Sequence, residues 1–316
     1  MKAGKVKAVL ICLAPVLSGC LLLVQYFAAP NAGNYTTTLV YPFCVGAVML
    51  MYLALCGVSL INSRIYHAIR RLAPLYCAVF IVLALCDFVS LKTKILSLPF
   101  FPWPERLLNQ IIIDHAILFD CAKNSLLLLF TGFIYGAAAG ILTGILSGRL
   151  AVFRYWAEPV LKILGPIPPI TWMPFMFIFS RTLFQGCVVM VAFSVWYPLS
   201  VSTMKGIIGI KKSYIESAKI LGAVNEYKLI IKVMLPLVLP TIFQGLISGM
   251  RVACGSLMVA EMMGVESGLA WYITWQRGWG EFTKMYTSVA AICLVFIAVD
   301  LLLNCAKKLL VCWQEE

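Results

Sequence analysis

The chain has 316 residues, of which 62% are hydrophobic and only 12% charged. A soluble domain of that length cannot hide so much apolar surface, so the class is a polytopic, all-α membrane protein. The formal net charge of +12 does not mark a nucleic-acid binder, because most lysines and arginines fall in short loops between apolar runs, the pattern that orients a membrane chain.

At about 20 residues per span, the apolar runs predict eight transmembrane helices, near 8–28, 40–60, 73–90, 121–146, 155–179, 186–205, 234–255 and 285–306. Lys2, Lys5 and Lys7 lead into the first. Leu17-Ser18-Gly19-Cys20 looks like a lipoprotein cleavage box, but the apolar run continues through Ala28, so the segment reads as an uncleaved first helix. With the N-terminus inside, the cytoplasmic segments hold more than twice as many lysines and arginines as the outer ones. That bias predicts both termini in the cytoplasm and, after six spans, a cytoplasmic loop at 206–233.

Residues 1–108 form a three-helix membrane segment with no motif that assigns it a role. It ends in a turn-rich outer loop with Pro99, Pro102, Trp103 and Pro104, whose prolines resist a helix interior and whose aromatics suit the membrane interface. Residues 109–316 form the second part. It opens with Asn124-Ser125, and Gly132, Gly136, Gly140 and Gly144 follow on one helix face, a stripe that lets a neighbouring helix approach closely. Next, Pro166, Pro168, Pro169 and Pro174 fall within the fifth predicted span, with Trp172 among them. Prolines there must break the hydrogen-bond ladder, and interrupted helices at membrane depth line cavities and transport routes. Lys162 lies in the same span and either favours an anion or pairs with an acid.

The stretch from Tyr214 to Pro240 is polar and lysine-bearing, lodged between apolar spans. Ser213 and Glu216 have the spacing of a capping box, Gly222 interrupts the helix, and Leu235-Pro236 and Pro240 lead into the seventh span. A polar helix of this kind at the cytoplasmic face reads as a docking surface for a soluble partner. Glu261 directly follows an apolar run; an acid at membrane depth is costly and is a functional candidate, the alternative being a partner for Arg251 or Lys162. Trp271, Trp275, Trp279 and Arg277 fit an outer aromatic belt. The twelve cysteines form no C-x-x-C pair and read as small apolar side chains. His67 and His115 have no metal-ligand spacing, and there is no phosphate-binding G-x-x-x-x-G-K-[ST] loop. The residues point to no catalytic group and no metal site.

Glu216-Ser217-Ala218, Gly222-Ala223, Leu235-Pro236 and Pro240 resemble the EAA signature of ABC-importer permeases, with Ser217 in place of the usual second alanine. The string Gly165 to Pro174, and Ala260-Glu261 followed by Gly268-Leu269-Ala270, resemble the nitrate/sulfonate/taurine branch; there Ala270 replaces a usual glycine. The resemblance covers about the last two-thirds of the chain. It implies a type I importer permease with a core of about five helices, located in a bacterial inner membrane and importing a small solute, with small anions such as nitrate, sulfonates, taurine or bicarbonate foremost. It also implies two such permease subunits, normally a homodimer, an extracytoplasmic solute-binding protein, and ATPase subunits that dock on Glu216, Ser217, Ala218, Gly222, Ala223, Leu235, Pro236 and Pro240. ATP and magnesium then belong to the ATPase, and this chain holds no cofactor. Pro166, Pro168, Pro169, Trp172, Pro174 and Glu261 are the candidate pathway residues. An ion-coupled secondary transporter using Glu261 is the alternative; it accounts for a broken helix and a buried acid but not for the polar loop.

Overall fold

Long apolar runs become helices because a helix pairs its own backbone groups, which lipid cannot do for it. The computed structural model describes residues 2–31, 37–59, 63–93, 95–96, 98–221 and 225–310, and among them every regular element is helical. The chain divides into two compact units, residues 1–115 with 276–287, and residues 116–275 with 288–316.

The first unit contains α1 (Lys2–Ala28), α2 (Val40–Ser59), α3 (Ser63–Asp87) and α4 (Pro104–Ile113). Helix α3 runs on into a π-turn, Phe88–Lys92. Pro104 opens α4, where its missing N–H has no intrahelical partner to lose. Gln25 Nε2 donates to the Ala84 carbonyl at 2.9 Å and ties α1 to α3. Leu22, Tyr26, Tyr41, Val45, Phe80, Leu91 and Trp103 form the core. Trp103 is therefore buried, at 5% exposure; the turn before α4 folds it inward.

The second unit holds α5 (His115–Arg149) from Ala116 onward, α6 (Ala151–Leu164), a 3-10 turn (Pro169–Trp172), α7 (Met173–Phe179), α8 (Leu183–Ile208), α9 (Lys212–Ile220), α10 (Glu226–Leu229), a π-turn (Ile230–Met234) and α11 (Leu235–Gly264). Most of α12 (Leu269–Gly278) and α13 (Phe282–Leu310) also belongs to it. Helices α5, α8 and α11 make the centre. The glycine stripe of α5 lies against α8: a Cβ at Gly132 would meet Val191 at 2.6 Å, at Gly140 Leu199 at 3.0 Å, and at Gly136 the Ala192 carbonyl oxygen. On the other side of α8, Gly245 and Gly249 of α11 close on Leu199 and Val195. Hydroxyl pairs reinforce both seams, Thr143 with Ser200 at 2.6 Å and Ser194 with Ser256 at 2.7 Å. Lipid tails are as apolar as leucine, so close backbone approach and such bonds are what hold membrane helices together.

Six described helices are long and apolar enough to cross a membrane, or seven if α6 and the segment Pro169–Phe179 count as one broken span bent by 100°. Helix α1 adds the shorter apolar stretch Leu13–Ala28. The count of eight thus depends on how these two segments are read. The polar lead-in Tyr227–Val233, within the predicted cytoplasmic loop, is helical and continuous with α11. The π-turn at Ile230–Met234 directly precedes Pro236, which lacks an N–H and whose ring collides with the carbonyl four residues back in a regular helix.

Candidate functional site

Helix α9 begins at Lys212 with Lys211 as its cap residue, and no side chain caps it. The expected Ser213–Glu216 capping box does not form, because Ser213 is already inside the first turn. Ala218 is the one residue of α9 that is buried. It packs into a cluster with Ile207 at the end of α8, Leu229 and Met234 of the polar lead-in, and Val238 and Ile242 of α11. Glu216 and Ser217 face outward. So do Tyr214, Ile220 and Leu221, the last two 86% and 87% exposed. A polar helix that leaves large apolar groups in the open marks a contact surface. Leu235 is half-buried, Pro236 exposed and Pro240 buried within α11. Gly222 and Ala223 lie outside the described residues.

The proline string does break its helix. The regular ladder stops at Leu164, and Pro166 and Pro168 lie in the connection that follows. Pro169 starts the 3-10 turn and Pro174 stands in the first turn of α7. The Thr171 N–H and hydroxyl both donate to the Pro168 carbonyl, at 3.1 and 2.7 Å, and hold the turn. Met173 and Phe177 hold the segment on its neighbours: Met173 joins the core of α5, α8 and α11, and the Phe177 ring fills the space over Gly186 and Gly264. Trp172, Phe175, Phe179 and Phe193 line a cavity of about 290 Å³ with Leu164, Met176, Ser180 and Val189. Trp172 Nε1 is buried without a hydrogen-bond partner.

Glu261 is 2% exposed, near the end of α11. The Ala270 N–H donates to its Oε2 at 2.9 Å, while Oε1 has no hydrogen-bond partner. Gly268 presses its backbone on the carboxylate: with φ +151, a Cβ there would lie 2.6 Å from Glu261 Cδ. Around this contact the turn between α11 and α12 is tied down three times more. The Leu269 N–H donates to Ser125 Oγ at 2.9 Å, and Ser288 Oγ donates to the Leu269 carbonyl at 2.7 Å. Asn124 Nδ2 also donates to Ser267 Oγ at 2.7 Å. Glu261 is therefore a buried staple for this turn. Neither candidate cation is its partner, since Lys162 pairs with Glu158 at 2.8 Å and Arg251 with Asp300 at 3.2 Å, both exposed. The special backbone angle belongs to Gly268; Ala270 sits in the first turn of α12 and needs none.

The structure does not bring all the candidate pathway residues together. The small cavity beside Glu261 is lined by Ser125, Leu129, Leu257, Leu269, Ile292 and their neighbours, and it shares no lining residue with the cavity at Trp172. A third cavity of about 470 Å³ lies between the start of α5, the start of α8 and the Gly264–Ser267 turn, with Asn124, Phe184, Glu266 and Ser267 on its walls. No lysine or arginine lines it or the Trp172 cavity. Asn124, Ser125 and Ser288 escaped the sequence reading as site residues, and Gly268 entered it only as part of the Gly268-Leu269-Ala270 motif. The pair Asn124-Ser125, two polar groups opening an apolar span, also carried a readable signal.

The family model described as "Binding-protein-dependent transport system inner membrane component" matches residues 136–312. The chain is 26% identical over 185 residues to the putative aliphatic sulfonates transport permease protein SsuC of Bacillus subtilis, covering 58% of this chain and 67% of that one. It is 24% identical to the taurine transport system permease protein TauC of Escherichia coli K12, covering 71% and 83%, and 23% identical to the nitrate import permease protein NrtB of Leptolyngbya laminosa, covering 78% and 88%. Among solved structures, a chain of the MetNI methionine ABC transporter in inward-facing conformations superposes with a TM-score of 0.53 at 18% identity, over 62% of this chain and 97% of that one, a likeness of fold.

Proposed function

This chain belongs to the family of binding-protein-dependent transport inner membrane components, the permeases of ABC importers, and we propose that it forms the membrane path for a small anion of the sulfonate, taurine, nitrate or bicarbonate kind. The relatives named for sulfonates, taurine and nitrate support that cargo class. In this reading a separate ATPase binds ATP with magnesium, a solute-binding protein delivers cargo from outside, and two permease subunits, most simply two copies of this chain, enclose the path. Both termini and α9 face the cytoplasm.

The observation that carries the coupling step is the seating of α9. One face, through Ala218, is locked to the ends of α8 and α11, and the other presents Tyr214, Glu216, Ser217, Ile220 and Leu221 to a partner. ATP-driven closure of the ATPases moves α9 as a rigid piece. The shared cluster passes that motion to α8 and α11, which carry the proline-broken segment at Met173 and Phe177. The result is alternating access by rigid-body displacement.

The test is a mild-detergent pull-down of the tagged chain from its native membrane, with mass spectrometry of what co-purifies and a single cysteine at Ser217 for cross-linking. An ATPase cross-linked at that position and a co-purifying binding protein that binds taurine, a sulfonate, nitrate or bicarbonate would support the reading. Recovery of the chain alone, together with uptake that survives ATP depletion and follows an ion gradient, would replace it with the ion-coupled carrier.

A further inference from the structure

Residues 1–115 lie outside the family match at residues 136–312, yet the interior of their unit is not purely apolar. Asp87 at the end of α3 and Glu105 at the start of α4 are each 1% exposed, and Tyr41 of α2 is 2% exposed. Tyr41 lies within electrostatic reach of both carboxylates, and Asp87 within reach of Glu105 and Lys92. Tyr26 of α1 closes the group: its ring stands 5.6 Å from that of Tyr41, and its hydroxyl donates to the Thr38 carbonyl at 3.1 Å. The Thr38 N–H in turn donates to Glu105 Oε1.

Among the described residues, Lys92 is the cation inside this group, and it is already spent. Lys92 Nζ donates to the Tyr26 carbonyl at 2.9 Å, the Ala29 carbonyl at 2.6 Å and Asn31 Oδ1 at 2.8 Å, which uses all three of its N–H groups. Four buried oxygens remain without a hydrogen-bond partner: Asp87 Oδ1 and Oδ2, Glu105 Oε2 and Tyr41 Oη. Two carboxylates against one lysine leave one negative charge uncompensated in an apolar unit, where uncompensated charge is costly.

We propose that Asp87, Glu105 and Tyr41 bind one monovalent alkali cation. The charge balance asks for a single positive charge. The ligand set is oxygen throughout, which suits a hard cation and not a soft transition metal. A proton shared by the carboxylates is the competing answer, and the acidification arm of the test below separates it from a metal ion. The backbone agrees: α3 passes into its π-turn directly after Asp87, and such turns free carbonyl groups and concentrate at functional sites.

The test uses the full chain in lipid nanodiscs. Radiolabelled Na+ is titrated at constant ionic strength in choline chloride, and the melting temperature is followed with Na+ and with choline alone. Saturable binding of one Na+ per chain is expected, together with a Na+-specific rise in melting temperature. Asp87→Asn should weaken binding at least about tenfold, since affinity follows the charge of the ligands. Tyr41→Phe, which keeps both carboxylates, should weaken it about threefold, the scale of one neutral oxygen contact, and keeps the test open if Asp87→Asn fails to fold. Absence of saturable Na+ binding, or binding unchanged in both variants, would overturn the proposal. So would a stabilisation on acidification that is equal in Na+ and choline, the mark of a protonated carboxyl pair.

Discussion

Gly268→Ala tests whether the staple between α11 and α12 is as tight as its geometry implies. Two terms set the magnitude. At φ +151 the backbone is in a region that a side chain rarely enters, with a cost of about 1–3 kcal/mol. The new Cβ would also lie 2.6 Å from Glu261 Cδ and 2.7 and 2.8 Å from its two oxygens, against about 3.5–4.0 Å for an ordinary carbon contact. The carboxylate must retreat by about 1 Å, and it then loses the 2.9 Å bond from the Ala270 N–H, a further loss of about 1–3 kcal/mol. The sum, about 2–6 kcal/mol, lowers the melting temperature of a unit of this size by about 10 °C, read by tryptophan fluorescence in nanodiscs. Gly280→Ala is the control: its φ is +72 but nothing lies within 4 Å of a Cβ there, so only a backbone cost of about 1–2 kcal/mol applies. On an Glu261→Ala background, Gly268→Ala should cost only its backbone share, because the clash is gone. Equal melting temperatures for Gly268→Ala and Gly280→Ala would refute the reasoning.

The helix seams, the exposed ion pair and the anchor of α9 make three further predictions. Gly136→Val places its Cβ on the Ala192 carbonyl oxygen and should destabilise by at least about 1–3 kcal/mol through overpacking, whereas Gly255→Val, with nothing within 4 Å, should melt like the parent. Lys162→Ala removes a 74% exposed partner of Glu158, a solvent-screened i,i+4 pair that contributes little; uptake and melting should hardly move, and a collapse of uptake would return Lys162 to the pathway. Ala218→Asp buries a charge under α9 and should lower both melting temperature and ATPase co-purification, whereas Glu216→Lys, on the exposed face, should lower only the latter.

The parts of the fold that follow from short-range rules were legible in the sequence. Four glycines at four-residue spacing say that α5 has a face made for close approach, and α8 fills it at Val191, Leu199 and Thr203. A string of prolines says that a helix must stop, and it stops at Leu164. What such rules leave open is where a broken helix goes next. A span broken at one point and a segment turned by 100° share the same residues, and the difference lies in the seats that Gly186 and Gly264 offer Phe177. In the same way, Pro236 predicts strain in a regular helix but not the π-turn directly before it, through which the polar lead-in runs on into α11.

Buried polar groups were the least legible, for a reason that applies to both units. Glu261 stands nine residues before Ala270, yet its pairing depends on a glycine in an unusual backbone conformation, and a glycine does not announce its φ. Asp87 lies within the third predicted span and Glu105 follows the proline-rich turn, and no motif marks either. They face one interior only because the π-turn after Asp87 and the start of α4 converge on Tyr26 and Tyr41. A position-by-position reading places every charge at the nearest water. Whether two charges share a buried site depends on how helices distant in sequence pack, and packing decides their cost: an exposed pair such as Arg251 and Asp300 contributes under about 1 kcal/mol, whereas a buried carboxylate without a partner demands a proton, a metal ion or a rearranged neighbour. Acids at membrane depth are thus the positions where the structure adds most to the sequence, and Asp87 and Glu105, in a unit to which no family motif assigns a role, are where a measurement discriminates most.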